Sequence, residues 1–331
     1  MPSSRTLTFS DPFPYQKALR LADVELLPTT KGDFRAELTQ ITFDKIWMQC
    51  GSETLPHVVA GTVKPIRRAI LFNSKAQETV YRGMNVMPGG IIVHKADFEH
   101  RRNEENCSWG SMSLTHADFD AACKTIIGVE FTGEPLQHLI ITSHELMSRL
   151  LALHKTVEEI AKTSPDLLEL PEVARALQQD LMHLMVRSLC EGEAAKMTAG
   201  GLRHDLIVAK FEEFLEANPN TPLYLPEICA ALGTAERTLR GACEAHLGMG
   251  PIRYLTLRRM HLARRALLRA DSSITVTRVA TDCGFWELGR FAVGYRKLFG
   301  ESPSESLRRP SDDRPFLLNR PSAFPAEVSR Q

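Results

Sequence analysis

No stretch of the 331 residues approaches the roughly 18 to 20 uninterrupted apolar positions that a bilayer-spanning helix needs, and Met1 to Gln16 has no apolar core of the export-signal kind. The expectation is a soluble, unexported protein with no membrane association. Cysteine is sparse: the seven residues Cys50, Cys107, Cys123, Cys190, Cys229, Cys243 and Cys283 are odd in number, scattered and never in a C-x-x-C pair. That argues against a disulfide framework or a zinc ribbon and fits a reducing compartment. Net charge is missing as well, with 40 basic against 40 acidic side chains, so the whole molecule attracts no partner of one sign. No G-x-G-x-x-G, Walker loop, G-x-S-x-G or H-E-x-x-H occurs, which removes the usual nucleotide-binding, hydrolase and zinc-protease signatures. What remains, at 43% hydrophobic and 24% charged, is an ordinary globular composition with a length that suits two domains.

The zero net charge hides an asymmetry. Residues 1–200 carry 21 Lys and Arg against 25 Asp and Glu, whereas 201–310 carry 16 against 12, so two parts with different tasks are expected. Up to Leu114 β-branched and aromatic residues recur between turn signals, predicting strands at Phe34–Thr42, Asp44–Cys50, His57–Val63, Arg68–Phe72, Thr79–Val86, Gly90–His94 and Ser108–Leu114. They suggest a small sandwich or barrel. Helical three-four spacing then predicts helices at His116–Ile127, Leu136–Lys162 and Pro171–Cys190. Leu146, Leu150 and Leu181 lie on the apolar stripes of the last two, which either cover the sheet or form a dimer seam.

Residues 191–202 are small, polar and rich in glycine, as a linker would be. The expected organisation is a sensor and dimerisation domain over 1–190, this linker, an all-α domain over 203–310, and a proline-rich, disordered tail over 311–331. The fold class is α+β, a β-rich cupin-like domain with a helical hairpin followed by helices alone.

The helical part holds one arrangement twice: a short apolar helix, a turn with Gly, and a second helix with a polar face. The copies span Leu225–His246, turning at Gly233, and Ile274–Phe299, turning at Cys283-Gly284. Each is a helix-turn-helix pattern, which presents its second helix to a major groove about 12 Å wide. Between them Pro251–Ala270 has no internal Gly or Pro, so it predicts a helix about 30 Å long. That nearly matches the spacing of successive major-groove segments. The helix carries Arg253, Arg258, Arg259, Arg264, Arg265 and Arg269 as candidate phosphate contacts.

At these residues the sequence resembles the AraC/XylS family of bacterial transcription regulators. The resemblance rests on Arg259-Met260, Ala263, Arg264, Leu267-Leu268, Ser273-Ile274-Thr275, Val279-Ala280, Cys283-Gly284-Phe285, Phe291, Tyr295-Arg296, Phe299-Gly300 and Ser302-Pro303. The run from Gly284 to Phe291 is similar to the subgroup that includes ethanolamine-utilisation regulators. The resemblance implies two helix-turn-helix units, a ligand-sensing or dimerising domain at the other end, a cytoplasmic activator of transcription acting through RNA polymerase, and a homodimer. It places base-facing positions of the first recognition helix at Arg237, Arg240 and Gly241, and of the second at Leu288, Gly289, Arg290 and Val293.

The candidate DNA-binding set is therefore Glu236, Arg237, Thr238, Arg240, Leu288 and Arg290, with Arg258 and Arg264 from the connector. An arginine can bond guanine O6 and N7 together, whereas Gly and Val offer little, and Leu288 suits a thymine methyl or burial. Phe285 and Trp286 are expected in the core. No cofactor and no metal are expected, nor an enzyme. The alternative is a metal-dependent cupin-type enzyme with an accessory DNA module, which needs metal on His94, His100 or His57, the first two sharing a strand face. Trp47, Phe72, Tyr81 and Trp109 either enclose a small effector or form core.

Overall fold

In the first 114 residues buried and exposed side chains alternate in short runs, as the two-residue period of a strand requires. The computed structural model describes residues 2–128, 138–218, 223–270 and 274–309. The chain begins β1 (Ser3–Phe9), α1 (Pro12–Ala18), β2 (Ala22–Pro28), β3 (Ala36–Thr42), β4 (Trp47–Glu53), β5 (His57–Val63), β6 (Arg68–Asn73), β7 (Thr79–Tyr81), β8 (Met84–Asn85), β9 (Gly90–Val93), β10 (Phe98–Asn103) and β11 (Cys107–Leu114). It continues α2 (His116–Ile127), β12 (Leu139–Ile141), α3 (His144–Thr163), α4 (Asp166–Glu169), α5 (Pro171–Cys190) and β13 (Glu193–Ala194).

Two antiparallel sheets result, ordered β1-β3-β4-β11-β6-β9-β12-β13 and β2-β5-β10-β7-β8. They share one core in which Leu7, Leu38, Leu71 and Trp109 of the large sheet meet Leu26 and Tyr81 of the small one. On the other face of the large sheet, Ile41, Met48, Phe72 and Met112 pack with Phe119 of α2, Leu146, Leu150 and Val157 of α3, and Leu181 and Leu184 of α5. The leucine stripes cover the sheet. Leu146, Leu150 and Leu181 are buried within the chain and form no dimer seam.

Several predicted bounds move for physical reasons. The predicted strand Thr79–Val86 breaks at Arg82-Gly83, both with positive φ (49° and 75°), the signature of a two-residue hairpin turn. The predicted helix from Leu136 starts instead at His144, where the Ser143 hydroxyl accepts from Leu146 N; Leu136 lies outside the described residues. His94 follows the end of β9 and shares no strand with His100.

The second part is helical: α6 (Ala199–Ala217), α7 (Leu225–Leu232), α8 (Glu236–Leu247), α9 (Pro251–Arg269), α10 (Val276–Asp282), α11 (Leu288–Phe299) and α12 (Pro303–Arg308). The stretch 191–202 holds β13, whose Ala194 pairs with Ile140, and the start of α6, capped by Thr198. Residues 311–331 lie outside the described residues. The two parts share apolar core: Leu27 and Val58 of the small sheet belong to one cluster with Val208, Phe211, Leu239 and Tyr254. Each such fully buried aliphatic side chain contributes about 1.5 to 3 kcal/mol.

Candidate nucleic-acid interface

The first unit is built by its turn. Pro226 opens α7, Glu227 accepts from the Tyr224 backbone N–H, and Gly233 ends the helix with left-handed φ of 60°. Ile228, Leu239, Ala242, Cys243 and Leu247 are buried, which leaves Glu236, Arg237 and Arg240 exposed on the outer side of α8 and Thr238 half-buried. Arg240 bonds Glu236 at 2.7 Å across one helical turn, both partners exposed. Such a pair is worth only a few tenths of a kcal/mol, so the guanidinium can exchange it for a base. Gly241 has open space where a side chain would stand.

In the second unit Thr275 caps α10, Gly284 turns with φ of 78°, and Phe291 and Tyr295 anchor α11, the Tyr295 hydroxyl donating to Ser306 Oγ at 2.8 Å. Phe285 packs on Phe291, ring centroids 4.8 Å apart. Trp286 departs from expectation: it is 63% exposed, on the same unit as exposed Leu288 and 71% exposed Val293. Arg290 is exposed and pairs with Glu287 at 3.0 Å. The first half of α11 therefore exposes Leu288, Val293 and one guanidinium, its last turn exposes Arg296 and Lys297, and the outer face of α8 is mostly charged.

The connector α9 corrects the phosphate assignment. Arg258 is turned inward to Glu25 of β2 at 2.7 Å and Glu212 of α6 at 3.6 Å, and Arg264 pairs with Glu301 at 3.3 Å while lying over Phe299. Arg265 and Arg269 stack on Phe13 of α1, and His261 donates to the Pro28 carbonyl at 2.9 Å. Arg258, Arg264 and Arg265 are half-buried and spend their heads on protein groups, whereas Arg253 and Arg269 stay exposed. Burial opposes the charge of Arg258, yet Glu25 and Glu212 hold it more firmly protonated than a free arginine. Burial pushes Glu212 up to about 7 against the pull of Arg258.

Sequence reasoning also missed a seam of titratable groups. His100 Nε2 of β10 and His246 Nδ1 of α8 are 2.6 Å apart, and Arg82 bonds Asp205 of α6 at 2.5 Å and Asp97 at 2.8 Å. A Cβ on Gly83 would stand 2.5 Å from His246 Nε2, so only glycine lets the hairpin close on that ring. The signal available was β10 itself, Phe98-Glu-His-Arg-Arg-Asn103, whose charges disguise a central strand. The histidines proposed for a cupin metal are engaged separately: His94 with Glu99 at 2.8 Å, His57 with the Leu55 carbonyl and Asn103, and His100 with His246. Phe72, Tyr81 and Trp109 are core.

A family model described as a helix-turn-helix domain matches residues 228–309. The HTH-type transcriptional activator RhaS of Escherichia fergusonii is 30% identical over 222 residues, 66% of this chain and 76% of that one. The chain belongs to the AraC/XylS family. A probable thc operon regulatory protein of Rhodococcus erythropolis is 42% identical over 103 residues, 31% of either chain, so this chain spans less than a third of that relative. The crystal structure of ToxT from Vibrio cholerae O395 aligns over 92% of this chain and 96% of that one at 11% identity, with a TM-score of 0.30, a likeness too loose to carry a conclusion. The AraC/XylS membership agrees with the two units and with the order in which they occur. Among the described residues no helix is long and apolar enough to cross a membrane.

Proposed function

We propose that this AraC/XylS chain is a sequence-specific DNA-binding transcription regulator, a ligand-responsive activator that works at promoter DNA with RNA polymerase. The observation that carries the reading is the pair of helix-turn-helix units, each with an exposed second helix, joined by one 19-residue helix about 28 Å long. That length suits two successive major-groove segments. Arg237 and Arg240 read bases from α8, with Glu236 and Thr238 beside them, while Leu288 and Arg290 contribute from α11.

A small-molecule effector has a place at the seam. A cavity of about 400 Å³ lies between α1, β2 and α9, bordered by Phe13, Leu26, Arg258, Leu262, Arg265 and Arg269. Its size is within the range of ligand pockets, and its guanidinium-rich wall suits an acidic group on a partly apolar body. A homodimer belongs to the same reading, through a surface other than the buried leucine stripes.

Footprinting of the full chain on promoter DNA tests the reading. Two protected segments about one helical turn apart, with affinity falling steeply as salt rises, are expected. A single short footprint, or affinity indifferent to salt, overturns it.

A further inference from the structure

Three elements remote in sequence bring metal-ligating atoms to one buried point. His100 comes from β10, Asp205 from α6 and His246 from α8, all three buried, and one ligand atom of each lies within 4.8 Å of the others. The two facing imidazole nitrogens are 2.6 Å apart, closer than the 2.9–3.0 Å usual for an N–H hydrogen bond to oxygen. One shared proton can satisfy that contact. His100 Nδ1, the ring's other nitrogen, is buried with no hydrogen-bond partner among the described residues.

We propose that His100, His246 and Asp205 form a binding site for a divalent transition-metal ion of the zinc class, one that ties the small sheet to the second helix of the first helix-turn-helix unit. Two imidazoles and a carboxylate select zinc and its neighbours over calcium or magnesium, and three protein ligands leave the fourth corner of a tetrahedron to water. Ligand bonds of about 2.0 to 2.1 Å put tetrahedral donors roughly 3.3 Å apart, so the two rings need to separate by less than 1 Å.

Zinc binds through imidazole lone pairs, so the ion would displace the proton shared by the two facing nitrogens to an outer ring nitrogen. Arg82 opposes a cation, but it is shared by two carboxylates, Asp205 and Asp97. Lys95 acts on both Arg82 and Asp97, so two cations face two carboxylates and the charges around the rings balance. A second buried cluster, Glu53, His57 and Cys107, is more fully engaged: Glu53 accepts from Tyr15, Trp109 and Cys107 and His57 bonds Leu55 and Asn103, whereas Asp205 of the first accepts from Arg82.

Because α8 also carries Arg237 and Arg240, an ion at this point fixes that helix against the sheet. Any effect on DNA rests on the functional reading above, whereas the binding of metal does not.

The experiment is a titration of the full chain, stripped with chelator and desalted, with Zn²⁺ at near-neutral pH against a competing chromophoric chelator. One Zn²⁺ per chain at this site is expected, with a rise in melting temperature. His100→Gln and His246→Gln should each weaken binding by more than the roughly 10- to 100-fold that follows loss of a mere outer-shell partner. His94→Gln, whose partner is Glu99 and none of the three ligands, should bind as the parent does. Co²⁺ in the unmodified protein keeps the test decisive if a variant fails to fold: imidazole and oxygen donors give visible ligand-field bands without a thiolate charge-transfer band. Parent binding no tighter than that of folded His100→Gln overturns the proposal, as does a thiolate band, which would move the ion to Cys107.

Discussion

Arg240 stands in solvent with one weak partner, Glu236, so losing its guanidinium leaves the fold untouched. Arg240→Ala is expected to relax preference at one or two base pairs, by about 1 to 3 kcal/mol each, in binding measured over single-base variants of the operator. A uniform loss across that panel makes Arg240 a phosphate anchor. Arg258 behaves in the opposite way because it holds Glu212, a buried carboxyl. Arg258→Ala is expected to cost on the order of 3 kcal/mol of stability, more above pH 8 than near pH 6, where Glu212 takes up a proton; urea unfolding at the two pH values reads the difference. His154, buried against Phe72 with ring centroids 5.0 Å apart, is lowered by burial to about 4. Between 4 and its ordinary 6.5 the folded chain therefore holds fewer protons than the unfolded one, and stability is lost as pH falls through that window. Replacing His154 with Gln should shrink the difference in unfolding free energy between pH 7 and pH 4 by on the order of 3 kcal/mol.

At the scale of elements, the two helix-turn-helix units were legible because Gly233 and Gly284 mark their turns and Leu239, Phe291 and Tyr295 keep helical spacing. The strands β3, β5, β6, β9 and β11 were legible from their apolar alternation. β10 was not, since Arg101 and Arg102 lie within a strand that pairs on both sides, with β5 and β7. β2 falls outside the predicted strands, the first of which starts at Phe34. The stripes of α3 and α5 predicted helices but could not say what they faced. Tertiary packing decides that, and it placed Leu150 fully inside. Leu150→Ala is expected to cost about 2 to 5 kcal/mol, and Leu150→Asp to unfold the sheet-bearing part, as followed by thermal melting. A folded Leu150→Asp monomer would show instead that the site can open to water. The inward turn of Arg258 was equally hidden, because a charged residue on a helix carries no sequence mark of the Glu25 that meets it 233 positions away.

For the whole molecule, the apolar cluster joining Leu27 and Val58 to Val208, Phe211 and Tyr254 makes the two parts one packed body. Both a fragment beginning at residue 203 and one beginning before Thr198 lack Leu27 and Val58, but the first also loses the Thr198 cap and opening turn of α6, so it should be the less stable. Melting of the two fragments side by side checks this, with equal stability counting against it. The same cluster sets a schedule for the nascent chain. Leu27 and Val58 leave the ribosome roughly 200 residues before Tyr254, which at about 5 to 20 residues per second is a wait of roughly 10 to 40 s. Through that interval the small sheet exposes an apolar patch that only later synthesis covers. A ribosome stalled near residue 190 would release a chain with the patch permanently bare, a substrate for chaperones and proteases.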